Sequence, residues 1–401
     1  MKKLVSLIIV LFCLAGIFAG CAETEKTVPA DGEPDTLNPV DAITYDFRNF
    51  DAEMLEYVEE TQQGSYVISP ISLKLVLGML VPGANGETLE QILRAIGTDG
   101  KTFDEYLKNF SRFAESFNHF HADDPFSLES ANSVWKNKAA QDLKSDYKMH
   151  LEAFDAQVRE FEPDTVIGEV NGWADEKTHG LIKKILADDY DADSIVIMLL
   201  NALYYKNEWA DQFVQIEQPI DFTALDGTVS QKTYFSATER FKYFSDGDTT
   251  LAVIPMRGNV DMVLVKGSTD RLEEKLAMAE EKYLHLTVPE FKIETALDKK
   301  ELVSFMADRG MTDAFCSAAD FSKMTGEGIF VSDIIQKAVI EANNGGVEAA
   351  AVTAIIAPGS SMVTEEPLSV RFDSTFRFYI TANSSEWSSD SFVLFEGRVA
   401  E

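Results

Sequence analysis

Residues 195–205 are apolar except for Asn201, in a chain of 401 residues of which 25% are charged. A run of this kind is typical of a strand that lies inside a large sheet and is buried on both of its faces. Helix and strand patterns alternate before this run, and strand patterns dominate after it. This mixed order predicts an α+β fold with large sheets in one compact body.

The clearest helix start follows Ser69. Ser69 and Pro70 are residue types found at the N-cap and in the first turn of a helix. The next residues, up to Leu80, are apolar almost all round, so this helix is predicted to be buried. The other predicted elements are helices at 46–60, 87–96, 166–186 and 297–309, and strands at 65–68, 252–254, 262–265, 284–288, 331–340, 368–372, 376–381 and 392–399.

The charge and the motifs exclude several classes of function. The chain has 67 Asp and Glu against 35 Lys and Arg, a net charge of −32, which argues against a nucleic-acid partner. No phosphate-binding loop, nucleophile elbow or His-Glu-x-x-His motif occurs, so neither an enzyme nor a cofactor is predicted. The best metal candidate is His119-x-His121 with Asp123 and Asp124, but a solvated polar turn in an exposed loop is favoured there, and no metal site is predicted.

The first residues are typical of an export signal. Lys2 and Lys3 precede an apolar run that ends on Ala19-Gly20 directly before Cys21. This ending resembles the lipobox of bacterial lipoproteins, which implies cleavage after residue 20 and lipidation of Cys21; an ordinary signal with an incidental cysteine is the alternative. Residues 21–43 are then predicted to be an acidic tether to a membrane, with the protein at the cell surface or facing the periplasm.

The three cysteines cannot form a disulfide framework. Cys13 would be lost with the signal and Cys21 would carry lipid. Cys316 lies beside Phe315 and is predicted to be a small buried hydrophobic residue.

A nearly uncharged segment stands out in this acidic chain. After the pliable pair Gly345-Gly346, residues 347–358 are small or β-branched with one charge, Glu348. Their alternate side chains give an uncharged face, so the segment could enter a sheet between existing strands with Glu348 toward water. Residues 359–367 have an exposed, protease-accessible composition. Taken alone, the segment also fits a connecting loop or a short Ala-rich helix.

Motifs along residues 45–399 resemble the serpin family in order and spacing. They include Ser69-Pro70-Ile71-Ser72, Asn171-x-Trp173 with Thr178-x-Gly180, and Phe392-x-Leu394-Phe395-x-Gly397. The other matching stretches are 83–88, 201–209, 289–293, 310–315, 319–322 and 372–378. The resemblance implies a serpin domain at 44–401, with three β-sheets, about nine helices and an exposed reactive-centre loop at about 344–367. A monomer is expected.

The resemblance also implies a mechanism, in which the loop acts as a suicide substrate of a serine protease. An acyl-enzyme forms, and insertion of the cleaved loop into the main sheet traps it covalently. The hinge residues would be Gly345, Gly346, Val347, Glu348, Ala349, Ala350 and Ala351, and the shutter and breach residues would be Ser69, Ser72, Asn201, Trp209 and Gln336. The sequence departs from the family pattern at Leu181, Gln336, Asn344 and Val347.

Family spacing places the scissile bond at Ser360–Ser361, with Met362 and Thr364 as alternatives. Because these residues are small and uncharged, the predicted target is an elastase-like or subtilisin-like serine protease, possibly also a cysteine protease. A non-inhibitory serpin and a lipoprotein solute-binding receptor are the alternative functions.

Overall fold

The computed structural model describes residues 47–98, 100–120, 127–152, 154–297, 299–348, 365–383 and 391–401. These residues all belong to one compact unit, Tyr45–Glu401. Several predictions lie outside them: the signal at 1–20, Cys21 and the tether, His121, Asp123 and Asp124, the hinge residues Ala349, Ala350 and Ala351, and the reactive-site residues Ser360, Ser361, Met362 and Thr364.

The described residues form eight α-helices, where the family resemblance implied about nine. They are α1 (Phe47–Thr61), α2 (Pro70–Leu80), α3 (Gly86–Ile96), α4 (Gly100–Phe120), α5 (Ser145–Glu152), α6 (Val166–Lys177), α7 (Leu272–Met278) and α8 (Lys299–Asp308). None of them is long and apolar enough to cross a membrane.

Sixteen strands accompany these helices in the described ranges. They are β1 (Tyr66–Ile68), β2 (Ser127–Asn137), β3 (Ala156–Phe161), β4 (Ile197–Glu208), β5 (Val214–Thr223), β6 (Val229–Ser245), β7 (Thr249–Met256), β8 (Val260–Gly267), β9 (Glu280–Pro289), β10 (Phe291–Leu297), β11 (Asp333–Ile334), β12 (Gln336–Ala342), β13 (Gly346–Val347), β14 (Leu368–Arg371), β15 (Phe376–Asn383) and β16 (Ser391–Val399). The predicted α+β class is confirmed.

Hydrogen bonds join the described strands into two sheets, where three were expected. One has nine strands, in the order β1-β16-β15-β8-β7-β6-β9-β14 with β5 on β6. The other has seven, in the order β10-β12-β13-β4-β2-β3 with β11 on β4. The long strand β6 explains the lower number, because it pairs with β9 through Tyr234–Tyr243 and then with β7 through Lys242–Ser245. One continuous ladder therefore links strands that a shorter β6 would leave in separate sheets.

Strand β4 has the burial that its apolar sequence predicts. Its Ile197, Leu199, Leu203 and Tyr205 side chains belong to the main core cluster. The alternating Met198, Leu200 and Ala202 belong to a second cluster on the other face, which includes Trp135 and Trp173. Because strand side chains alternate between faces, β4 is buried on both. The prediction of a doubly covered central strand is confirmed.

Helix α2 is also as predicted. The Ser69 hydroxyl accepts a hydrogen bond from the Ser72 N–H, Pro70 occupies the first turn, and every residue from Pro70 to Leu80 is buried. A serine N-cap of this kind contributes about 1 kcal/mol. The helix therefore enters the core at a fixed position, where it contacts β4 of the seven-stranded sheet and β16 of the nine-stranded sheet.

Three local predictions were wrong. The Phe-rich segment near His119, expected to be an exposed loop, belongs to the 21-residue helix α4. Helix α6 ends at Lys177 and not at residue 186, because His179 and Gly180 both have left-handed backbone angles and Thr178 turns its hydroxyl back to the Ala174 carbonyl. The Cys316 thiol is exposed and not buried, since it follows the short helical turn Asp313–Phe315 at the surface.

Candidate functional site: a wedge between two strands

Strands β4 and β12 form a gap that widens from one end to the other. The narrow end lies at β11, which comes just before β12 in the chain. There Asp333 and Ile334 pair directly and in parallel with Met198 and Leu199 of β4. At the wide end, Val347 of β13 lies between Ala342 of β12 and Asn207 of β4, and pairs antiparallel with both. The offset between the two sides is the same at both ends, because Asp333 is level with Met198 and Ala342 is level with Asn207. One additional strand can therefore lie in the gap without a change of register.

A tight turn feeds β13 into this gap. The Asn343 N–H donates to the Gly346 carbonyl at 3.0 Å, and the Gly345 N–H donates to Asn343 Oδ1 at 2.7 Å. Gly346 has a φ of +149°, and a Cβ there would lie 2.1 Å from the Asn207 carbonyl oxygen. Only glycine fits this close approach without displacing the backbone. The turn therefore fixes where β13 starts.

Val347 and Glu348 differ in their surroundings. Val347 is 2% exposed and belongs to the main core, as its uncharged face predicts. Glu348 donates its backbone N–H to the Glu341 carbonyl at 2.7 Å, and its φ of +51° takes it out of the extended conformation. Its side chain was expected to point to water, but it is half-buried, and its Oε2 finds no hydrogen-bond partner among the described residues. The left-handed backbone angle accounts for the difference, because strand alternation no longer sets the direction of the side chain.

Desolvation and the neighbouring Glu341 raise the pKa of Glu348 to about 7, and the cations Lys206, His179 and Lys292 oppose this shift. Burial, together with the charge of the nearby Glu348 carboxylate, raises the pKa of Tyr204 to about 12. Glu348 is therefore an acid that titrates near neutral pH at the point where β13 ends.

Trp209 closes the wide end of the gap. Its indole N–H donates to the Asn343 carbonyl at 2.8 Å and its backbone N–H donates to the Gly345 carbonyl at 3.3 Å. The ring is buried and stacks on Phe235, with Phe213 beside it. The predicted breach residue thus holds the turn that begins β13.

The other four predicted residues meet behind the gap in a buried hydrogen-bond network. The Gln336 amide donates to the Ser69 carbonyl at 2.7 Å and accepts from the Ser69 N–H at 3.4 Å. The Ser72 hydroxyl donates to Asn201 Oδ1. These contacts connect helix α2 with β12 on one side of the gap and with β4 on the other.

Two residues of this network were missed in the sequence, Ser130 and Asn132 of β2. The Asn201 amide donates to Ser130 Oγ at 3.0 Å and to Asn132 Oδ1 at 2.8 Å. Asn132 lies directly opposite Asn201 in the ladder of β2 and β4, and Ser130 lies two residues away on the same face. Polar residues occur along much of β2, so nothing in its pattern singles these two out, and no strand was predicted there.

The chain that follows the predicted reactive-centre loop, from Glu365 onward, is attached to the nine-stranded sheet. The Arg240 guanidinium of β6 donates to a Glu365 carboxylate oxygen at 2.7 Å. Three residues later, β14 pairs in parallel with β9 of the nine-stranded sheet. The hinge and the chain after residue 364 are thus fixed to different sheets.

Comparison with protein families matches residues 47–401 to Serpin (serine protease inhibitor). The chain belongs to the serpin family. Serpins are inhibitors of proteases and not catalytic enzymes, which confirms the expectation that this chain is not an enzyme.

The relatives of this serpin include proteins whose names state inhibition. It is 30% identical to Iris of Ixodes ricinus over 364 residues, which cover 84% of this chain and 92% of Iris. It is 26% identical to the leukocyte elastase inhibitor of Bos taurus, with coverage of 86% and 95%. The native-state structure of the thermophilic serpin tengpin matches with a TM-score of 0.73 at 22% identity, covering 94% of this chain and 96% of tengpin. This last likeness shows the fold alone.

Proposed function

We propose that this serpin is a suicide-substrate inhibitor of serine proteases. The observation that carries the proposal is Val347 inserted between Ala342 and Asn207, while Ile334 and Leu199 pair directly at the narrow end of the same gap. This geometry supports a role for residues 348 onward as an additional strand, for which Gly346 and Val347 are the start. The small residues Ala349, Ala350 and Ala351 suit such burial.

The covalent step would occur at the Ser360–Ser361 bond. The protease serine hydroxyl attacks the Ser360 carbonyl carbon, the bond to the Ser361 nitrogen breaks, and the hydroxyl proton passes through the protease's base to the leaving amine. The product is an ester between the protease and Ser360. Hydrolysis of this ester by water would release the protease, so inhibition requires that loop insertion outpace that hydrolysis.

Insertion into the gap supplies the irreversible step. Each backbone hydrogen bond of the new strand contributes roughly 0.5–1.5 kcal/mol net, so a dozen of them contribute on the order of 10 kcal/mol. The uncleaved fold is then kinetically trapped rather than the most stable state. The network of Gln336, Ser69, Ser72 and Asn201 would have to adjust as β4 and β12 separate along their length.

The proposed target is an elastase-like or subtilisin-like protease, since residues 357–363 are small or apolar and uncharged. The test is incubation of the protein with pancreatic elastase, subtilisin and trypsin, followed by denaturing electrophoresis and mass spectrometry of the released C-terminal peptide. An SDS-resistant complex with elastase or subtilisin and a peptide that begins at Ser361 are expected. Complete cleavage without a complex would identify a non-inhibitory serpin, and cleavage only outside 359–364 would overturn the proposed bond.

The proposed location is a membrane surface. Removal of residues 1–20 and lipidation of Cys21 would leave residues 22–43 as an acidic spacer before the domain. Two or three acyl chains would retain the anionic protein at the bilayer, because methylene burial outweighs surface repulsion. The protein would then meet proteases outside the cell or in the periplasm.

A further inference from the structure

Glu348 occupies a position where a carboxylate is poorly stabilised. It is half-buried at the end of β13, with one carboxylate oxygen unpartnered among the described residues. The cations around it are partly committed elsewhere: Lys292 pairs with Glu341 at 2.8 Å, and His179 contacts Glu129 at 3.1 Å. The charged groups that act on it are Lys206 on β4, Glu341 on β12, His179 after α6 and Lys292 on β10, and its own charge acts on Tyr204 of β4. Glu129 on β2 contacts His179 and also acts on Tyr204.

We propose that Glu348 is a pH-sensitive switch that holds β13 in the gap when its carboxyl is protonated and releases it when the carboxyl is ionised. The geometry supports this at three points. Glu348 directly follows Val347, which pairs with both β12 and β4; among the described residues its N–H bond to the Glu341 carbonyl is the last that fixes the hinge on β12; and the like charge of Glu341 acts on its half-buried carboxyl. The consequence for inhibition rests on the proposed function, whereas the switch itself is a property of the free protein.

The direction follows from linkage between protonation and insertion. With β13 inserted, the pKa of Glu348 is about 7, whereas a solvated glutamate has a pKa near 4.5. The inserted hinge therefore binds a proton that the withdrawn hinge releases between these two values. The stabilisation of the inserted hinge is full below the lower value and is lost as the pH rises through about 7. The two pKa values give at most about a tenfold change in the insertion equilibrium between pH 6 and pH 8, and because Glu348 is only half-buried, solvent screening reduces this to a change of roughly threefold.

The test measures the hinge without any protease. Amide hydrogen exchange of the peptide that contains Val347 and Glu348 is followed by mass spectrometry in the full-length protein and in Glu348→Gln, at several values between about pH 6 and pH 8. The ratio of the two rates at each pH cancels the intrinsic pH dependence of exchange. We expect protection in the unmodified protein to fall by roughly threefold, and at most about tenfold, relative to Glu348→Gln between pH 6 and pH 8.

Two neighbouring variants give opposite predictions and keep the test independent of the Gln substitution. Glu341→Gln removes the like charge and frees Lys292, so the ionised carboxyl is better stabilised in the inserted hinge and protection should fall less between pH 6 and pH 8. Lys206→Met removes a favourable cation, so protection should fall more over the same range. An identical pH dependence in the unmodified protein and Glu348→Gln, or neighbouring variants that do not change the size of the fall in opposite directions, would overturn the switch. Because no protease is present, neither result depends on whether the protein inhibits one.

Discussion

The Gln336 side chain bonds to both backbone groups of Ser69, donating to its carbonyl at 2.7 Å and accepting from its N–H at 3.4 Å. One amide thus ties strand β12 to the start of helix α2 in a buried site. Gln336 is one of the departures from the family pattern. Its two bonds show that an amide at this position can both donate to and accept from the backbone of Ser69.

Replacing Gln336 with Met should destabilise the native state, because it keeps the side-chain volume and leaves the buried Ser69 N–H without its partner, while the Ser69 carbonyl keeps only the bond from the Leu73 N–H at 3.3 Å. Each unsatisfied buried group costs about 1–3 kcal/mol. The urea midpoint of native-state unfolding should therefore fall clearly. Gln336→Glu is the matched control for the donor, since it keeps an acceptor and loses the amide N–H. A Met variant with an unchanged midpoint would show that these bonds contribute nothing.

Gly346→Ala should force β13 out of the gap, because the new Cβ would lie 2.1 Å from the Asn207 carbonyl oxygen. With the hinge displaced, insertion after cleavage should slow, and a larger share of the serpin should be cleaved without trapping protease. The ratio of complex to cleaved serpin on denaturing gels measures this share. Gly328→Ala is the control, since a Cβ there meets no atom within 4 Å. Equal ratios in both variants would contradict the steric argument.

Ala349→Arg should convert the inhibitor into a substrate. In the strand that inserts after cleavage, residue 348 would be extended, so alternation would put residue 349 on the buried face of Val347, and burial of an unpaired charge costs several kcal/mol. Ala350→Arg would place the same charge on the opposite face and should retain more of the covalent complex. The two variants are compared by stoichiometry of inhibition against subtilisin. Loss of inhibition to the same extent in both would argue against alternate burial.

Cys21→Ala should release the protein from membranes into the soluble fraction when the gene is expressed in a bacterium that processes lipoproteins. The physical reason is the loss of acyl chains, each methylene of which contributes about 0.8 kcal/mol to membrane binding. Fractionation and metabolic labelling with a fatty acid measure the change. Cys13→Ala should behave like the unmodified protein, since residue 13 would be removed with the signal. Retention of label by the Cys21 variant would refute the assignment.

The features that could be predicted from the sequence are those that depend on a local pattern of residue types. The apolar run predicted the burial of β4 on both faces, and Ser69 and Pro70 predicted the start of α2. The joining of two ladders by β6 could not be predicted, because the partners of a strand are chosen by tertiary contacts rather than by its own residues.

The environment of Glu348 was missed for a different reason. Alternation along a regular strand placed its side chain in water, but a single left-handed residue cancels that rule. The exposure of Cys316 likewise depends on how a short turn sits at the surface, which residue type alone does not determine.

The hinge turn lies in the seven-stranded sheet, whereas Glu365 is bound by Arg240 and β14 pairs within the nine-stranded sheet. While residues 349–364 remain covalently continuous, both of their ends are moored, so the N-terminal part cannot run far along the gap without drawing β14 away from β9. A single broken peptide bond removes that constraint. The continuity of the intact chain thus prevents insertion, and cleavage by a protease is the event that allows it.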